Sequence, residues 1–169
     1  MSNEVQYIFR RATDADWPAI WPIFRDVVAT GDTYPYSPTT TAEEAHALWM
    51  TDPASDRVTY VAEADGEVVG TTYIKPNAVD LMGHIANAGW MIAAHARGQG
   101  LGKRFANWTL AEAKDRGFTH MQFNAVVSTN TRAVELWTSL GFEIIGSLPD
   151  AFHHTMHGPT TVHIMFRRL

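Results

Sequence analysis

The chain contains no cysteine. Disulfides, cysteine-ligated metals and a thiol nucleophile are therefore excluded, and a reducing compartment is the natural setting. Positive charge is also scarce. Thirteen Lys and Arg against 18 Asp and Glu leave a formal net charge of -5, so there is no general basic footprint and no nucleic-acid partner is expected. No apolar run approaches bilayer-spanning length, so no membrane partner is expected. The start, Met1-Ser2-Asn3-Glu4-Val5, lacks the charged-then-apolar pattern of a secretion signal, and a cytoplasmic location is the expectation. Repeats, linkers and low-complexity stretches are missing too. What remains is an ordinary globular composition, 46% hydrophobic and 18% charged over 169 residues. It argues against disorder and supports one domain, residues 1–169, with a substantial core.

Periodicity divides the chain into alternating elements. Val5 to Arg10 alternates as a first strand. Thr13-Asp14-Ala15-Asp16 opens a helix whose apolar positions Trp17, Ile20, Ile23, Phe24 and Val27 keep helical spacing until Gly31. Gly31 to Thr40 holds two prolines, two tyrosines and four hydroxyl residues, and reads as a loop. Thr41-Ala42-Glu43-Glu44 is a capping box for a second helix to about Met50. Val58–Ala64 and Glu67–Ile74 read as strands joined by Asp65-Gly66, a strong hairpin signal. A fourth strand spans Ile85–Ile92, and a third helix runs from the glycine-rich loop to about Arg116, closed by Gly117. Met121–Val127, a helix from Thr129 to Leu140, and strands at Phe142–Ile145 and Thr161–Phe166 complete the order. The order predicts an α/β protein with one mixed, mostly antiparallel sheet of about seven strands and about four helices. Gly89, inside the fourth strand, is expected to mark a bulge and a close backbone approach. Trp17, Trp21 and Trp49 read as core.

The chemistry begins at Arg97-Gly98-Gln99-Gly100-Leu101-Gly102, set between a strand and a helix. Glycines let backbone amides approach an anion, and the free N–H groups of the new helix face it with the positive end of the helix dipole. Arg97 and Lys103 add charge beside this nest. A second motif follows: Asn130, Ala133, the pair Leu136-Trp137, and Gly141-Phe142.

Together the two motifs resemble the GCN5-related N-acetyltransferase family. The family's loop pattern falls on Arg97, Gly100 and Gly102, and its later pattern on Asn130 through Phe142. The resemblance covers residues 57–146 well. It implies that the chain uses acetyl-CoA as acyl donor, that strands four and five splay apart, and that the pantetheine lies between them. Its amides would pair with backbone around Met91 and Ile92. The pyrophosphate would rest on the amides of Gln99 to Lys103, and Asn130 would reach the pantetheine. Ile92 N–H is the implied oxyanion donor. The segments His84–Trp90 and Gln122-Phe123-Asn124 are also similar to yeast proline-analogue acetyltransferases, which acetylate azetidine-2-carboxylate and related imino acids. That similarity implies a small amine as substrate, with Asn87 and Asn124 holding it. Asn124 would also touch the reacting carbonyl. The family further implies that Tyr34 and Tyr36 line the acceptor pocket beside Trp90, and that a homodimer is possible.

Two departures from the family pattern bear on mechanism. Trp137 stands where relatives often carry a tyrosine acid, and an indole N–H donates a hydrogen bond without serving as an acid. Asn87-Ala88 stands where many relatives carry a glutamate base. An amide is no base, but its NH2 binds a carboxylate without repulsion. Protein N-terminal or lysine acetylation, and acyl-CoA binding without turnover, are the competing readings. His153, His154, His157 and His163 do not combine with carboxylates at ligand spacing, so no metal is expected.

Overall fold

A computed structural model describes residues 5–169. Its element order is β1 (Ile8–Arg11), α1 (Trp17–Val28), α2 (Ala42–Trp49), β2 (Val58–Ala64), β3 (Glu67–Pro76), β4 (Ile85–Ile92), α3 (Leu101–Asp115), β5 (His120–Val127), α4 (Thr131–Ser139), β6 (Glu143–His154) and β7 (Gly158–Arg168). The seven strands form one sheet in the order β1-β2-β3-β4-β5-β7-β6. Every neighbouring pair is antiparallel except β4 and β5.

Local chemistry explains most boundaries. Thr41 accepts a hydrogen bond from Glu44 N–H while the Glu44 carboxylate caps Thr41, so α2 starts where its capping box lies. Asp65 and Gly66 both have positive φ, 50° and 80°, as a two-residue hairpin turn requires. The β1 strand begins three residues later than periodicity predicts. Phe9 faces α3, stacking on Phe105 and lying tilted against Trp108.

The largest departure from the sequence reading is the last hairpin. Strands predicted as short segments extend to 12 and 11 residues. Gly146, Pro149 and Asp150 read as strand breakers, but they fall at register shifts between Ile144 and Gly146 and between Leu148 and Phe152, where bulges absorb them. The bulge expected at Gly89 is absent: the β3–β4 register is continuous. Gly89 serves the other expected purpose, close approach. A Cβ there would lie 3.0 Å from the Tyr34 hydroxyl and 3.1 Å from Tyr73 Cε1.

Helices cover both faces of the sheet. On one face α1 and α2 bury Ile20, Phe24 and Trp49 against Val61, Tyr73 and Met91. On the other, Ala106, Leu110 and Trp137 from α3 and α4 pack on Ile74, Ala86, Phe123 and Met165. Trp49 is fully buried, whereas Trp17 and Trp21 lie only partly buried against the first cluster. No helix is long and apolar enough to cross a membrane among the described residues.

Candidate acetyl-transfer site

The site is a defect in the sheet. Parallel pairing of β4 with β5 lasts for only two positions, Ile85 with His120 and Ala86 with Met121. Beyond them the strands diverge. Asn87 stands at the fork, 8% exposed. Its amide N–H2 donates to the Gln122 carbonyl at 2.9 Å, and its Oδ1 accepts from the Tyr73 hydroxyl at 3.1 Å. Asn87 therefore bridges the two strands where their backbone ladder stops.

Past the fork, the β4 edge is open. Ala93 N–H bonds to the Val69 carbonyl, which fixes the phase of the β3–β4 ladder: Met91 points its backbone groups at β3, and Trp90 and Ile92 point theirs into the gap. The carbonyls agree with this phase. Tyr34 donates to the Trp90 carbonyl at 2.8 Å, and Arg97 Nε donates to the Ile92 carbonyl at 3.3 Å. Met91 is thus corrected as a backbone contact, since its side chain is core and its polar groups are spent on β3. By the same phase, the Ile92 N–H is directed into the gap.

Two cavities open from the gap. One, of about 470 Å³, extends from Trp90 and Ile92 past Arg97 and Gly98 to Gly102, with Arg132 on its other wall. The loop at its end is shaped for an anion. Gly98 and Gly100 take φ of 77° and 79°, and Gly100 caps α3 with no side-chain hydrogen bond. The first amides of α3 are left facing outward. Leu101 offers only its N–H, because its side chain is buried, and Gln99 turns its amide back to the His95 carbonyl at 2.9 Å. Lys103 is exposed beside the loop. These residues fit a pyrophosphate and pantetheine arm, which would draw on the amides here and on the open β4 edge.

The second cavity, of about 320 Å³, has Tyr34, Tyr36, Tyr73, Lys75, Asn87 and Asn124 among its walls. It meets the first at Tyr34, Trp90, Asn130 and Trp137, which line both. Asn130 caps α4 by accepting from Ala133 N–H at 3.3 Å, so its structural role and its place at the junction coexist. The Trp90 ring is directed to the far face, where its N–H donates to Thr109 at 3.1 Å and its ring lies 4.6 Å from Trp137. As a polar substrate contact Trp90 is unsuited, because that donor is spent.

Asn124 and Asn87 line the same cavity, as the sequence suggested, but neither amide is idle. Asn124 donates to Asn77 Oδ1 at 2.7 Å and accepts from Gln122 at 3.0 Å. Each side-chain amide keeps one N–H for a ligand. Burial raises the phenol pKa values of Tyr34, Tyr36 and Tyr73 above the usual range. These hydroxyls stay neutral at physiological pH and supply no base.

The loop carrying Tyr34 and Tyr36 is pinned by the long hairpin that the sequence concealed. Thr155, at its tip, donates through N–H to the Gly31 carbonyl and through Oγ1 to the Thr30 carbonyl, at 3.3 and 2.9 Å. Sequence reasoning also missed Lys75, Arg132 and Tyr73. Period-two alternation places Lys75 on the Tyr73 face of β3, but which face meets a cavity emerges only from the split. No group of three His, Asp or Glu residues is placed to hold a metal among the described residues.

A forked parallel strand pair with a glycine loop at one end and a polar cavity at the other frames the candidate acyl-transfer site. The chain belongs to the acetyltransferase (GNAT) family, whose model matches residues 17–142. Acetyl-CoA is this family's acyl donor, and solved neighbours of the fold hold it. The chain is 31% identical over 137 residues to N-acetyltransferase aca1 of Schizosaccharomyces pombe, covering 73% of this chain and 66% of the relative, just under two thirds of that protein's length. A GCN5-related N-acetyltransferase from Kribbella flavida superposes with a TM-score of 0.91 at 48% identity, covering 96% of this chain and 98% of that one. A ribosomal-protein-alanine N-acetyltransferase from Brucella melitensis follows with a TM-score of 0.84 at 25% identity, covering 96% and 99%.

Proposed function

We propose that this chain transfers the acetyl group of acetyl-CoA to the nitrogen of a small amino or imino acid. The observation that carries the reading is the acceptor cavity. Its volume of about 320 Å³ suits a small metabolite, and its polar wall gathers the side-chain amides of Asn87, Asn124 and Asn130 and one ammonium, with no carboxylate among its lining residues. Similarity to a yeast N-acetyltransferase is consistent with it.

The chemistry follows from the groups at the junction. The neutral amine attacks the thioester carbonyl carbon, and the carbonyl π electrons move to oxygen. Ile92 N–H, directed into the gap, donates to that oxyanion. The carbonyl then re-forms as the carbon–sulfur bond breaks, CoA leaves as thiolate, and the proton still on the attacking nitrogen passes to that thiolate or to solvent. No His, Asp or Glu lines the acceptor cavity, so the amine sheds its proton to solvent before attack. Trp137 walls the junction without acting as an acid. Asn124, the more exposed amide, orients the acceptor.

A panel assay tests the proposal. Thiol release and product mass are measured with azetidine-2-carboxylate, proline and common amino acids, with decarboxylated amines, and with peptides bearing N-terminal alanine or internal lysine. Free acids are expected to give the highest kcat/KM. Peptides turning over best would replace this reading with protein acetylation, the activity named for the Brucella neighbour. CoA binding without turnover of any amine would leave a binding module.

A further inference from the structure

One cation in the acceptor cavity has no counterpart in the mechanism above. Lys75 lies directly opposite Asn87 across the β3–β4 pair, two residues along β3 from Tyr73. Directly opposed residues of an antiparallel pair project to the same face. Lys75 and Asn87 therefore share the face from which Tyr73 reaches Asn87, and all three line the cavity with Asn124.

Lys75 is half-buried, and its ammonium forms no ion pair or hydrogen bond among the described residues. Its Nζ lies 5.7 Å from the centre of the Tyr73 ring, which is weak compensation for lost water. The neighbouring polar groups do not neutralise it either. Asn87, Asn124 and Asn77 are uncharged, the tyrosines are neutral, and no Asp or Glu lines the cavity.

We infer that Lys75 is a specificity-determining residue that pairs with the carboxylate of the acceptor, assisted by the free N–H of Asn124. This rests on the proposed amino- or imino-acid acceptor and names the group that selects the acid. A cation held in a partly desolvated cavity without a counter-ion stabilises an incoming anion more than a solvated lysine does. Burial also draws the Lys75 pKa below the usual lysine value. An anion bound beside it would oppose that effect.

The test compares Lys75→Met and Lys75→Arg with the native protein, using azetidine-2-carboxylate, its methyl ester and azetidine as probes. Binding to the CoA-loaded protein is read by calorimetry and turnover by thiol release; thermal melts confirm that both variants fold. Lys75→Met is expected to weaken binding and raise KM for the free acid tenfold or more, with less than twofold change for the ester and azetidine. Lys75→Arg is expected to recover most of the affinity for the acid, which a role as a base would not allow. An unchanged acid-to-ester ratio in Lys75→Met overturns the assignment while acetyl transfer stands. Failure of the native protein to bind the free acid also overturns it. Native binding of the acid that Lys75→Met abolishes, without thiol release, supports Lys75 as the anion site and refutes the proposed activity instead.

Discussion

Gly102 separates what the fold needs from what the acyl donor needs. It sits in the first turn of α3 with ordinary helical backbone, unlike Gly98 and Gly100 with their positive φ. A Cβ placed on it would meet only two side-chain termini, Ile92 Cδ1 at 3.6 Å and Leu136 Cδ2 at 3.9 Å, both at normal contact distance. The protein alone gives no reason for glycine there. Gly102 nevertheless lines the larger cavity, so the vacant space is space for a ligand. Replacing glycine by alanine inside a helix gains about 0.8–1 kcal/mol. For a chain of this size that corresponds to roughly 2–4 °C in melting temperature. Gly102→Ala is therefore expected to melt higher than the native protein while binding acetyl-CoA at least tenfold more weakly, about 1.4 kcal/mol. Gly102→Val, with its branched Cβ, is expected to abolish measurable binding. Gly100→Ala, at φ 79°, is expected to lose stability by about 1–2 kcal/mol instead. Scanning calorimetry and titration calorimetry read the two effects separately. A lower melting temperature for Gly102→Ala, or unchanged acetyl-CoA affinity in Gly102→Val, would refute the reasoning.

Other positions have distinct expected outcomes. Trp137→Phe is expected to keep kcat within tenfold, because no acid is removed, while its loss of buried volume between Trp90 and Phe123 costs about 1–2 kcal/mol by denaturant titration; a loss of several hundredfold in kcat at unchanged CoA affinity would make Trp137 catalytic. Turnover is expected to rise with pH and follow the pKa of each amine offered, about 8 for a model α-amino group. The raised tyrosine phenols stay neutral throughout that range and add no inflection of their own. A midpoint that ignores the amine would reveal an enzyme base. Asn87→Ala is expected to destabilise the protein by about 2–4 kcal/mol, since it strands the Gln122 carbonyl and the Tyr73 hydroxyl, and to impair acid and ester substrates alike through the fork. Asn124→Ala, at an exposed position, is expected to leave stability near native and to act on KM.

These contrasts show what the linear pattern held and what it hid. The strand of Ile85–Ile92 and the glycine loop depend on local spacing, so they are readable from the chain. Family likeness assigns Tyr34 and Tyr36 to an acceptor pocket, and both line the cavity of about 320 Å³ beside the fork. Asn87 was legible as an unusual strand residue, but its main duty was not, because the Gln122 carbonyl that it holds lies 35 residues away and becomes a partner only once the strands fork. The error at Met91 has a similar origin. Which of two adjacent residues faces the gap depends on ladder phase, set by the bond of Ala93 to Val69. Lys75 gave no signal in the sequence, because only the β3–β4 pairing sets it opposite Asn87 at the cavity. The long last hairpin was hidden by Pro149 and Gly146, whose breaker character is real but is spent in bulges.

Residue-resolved amide hydrogen exchange, with and without saturating acetyl-CoA, tests most directly that transfer occurs at the open edge of β4. Met91 is the internal control, because its N–H is already bonded to β3 and should exchange slowly in both states. Ile92 N–H is directed into the gap and should become strongly protected when acetyl-CoA binds. Unchanged exchange at Ile92 with the donor demonstrably bound would place the thioester elsewhere and contradict the account.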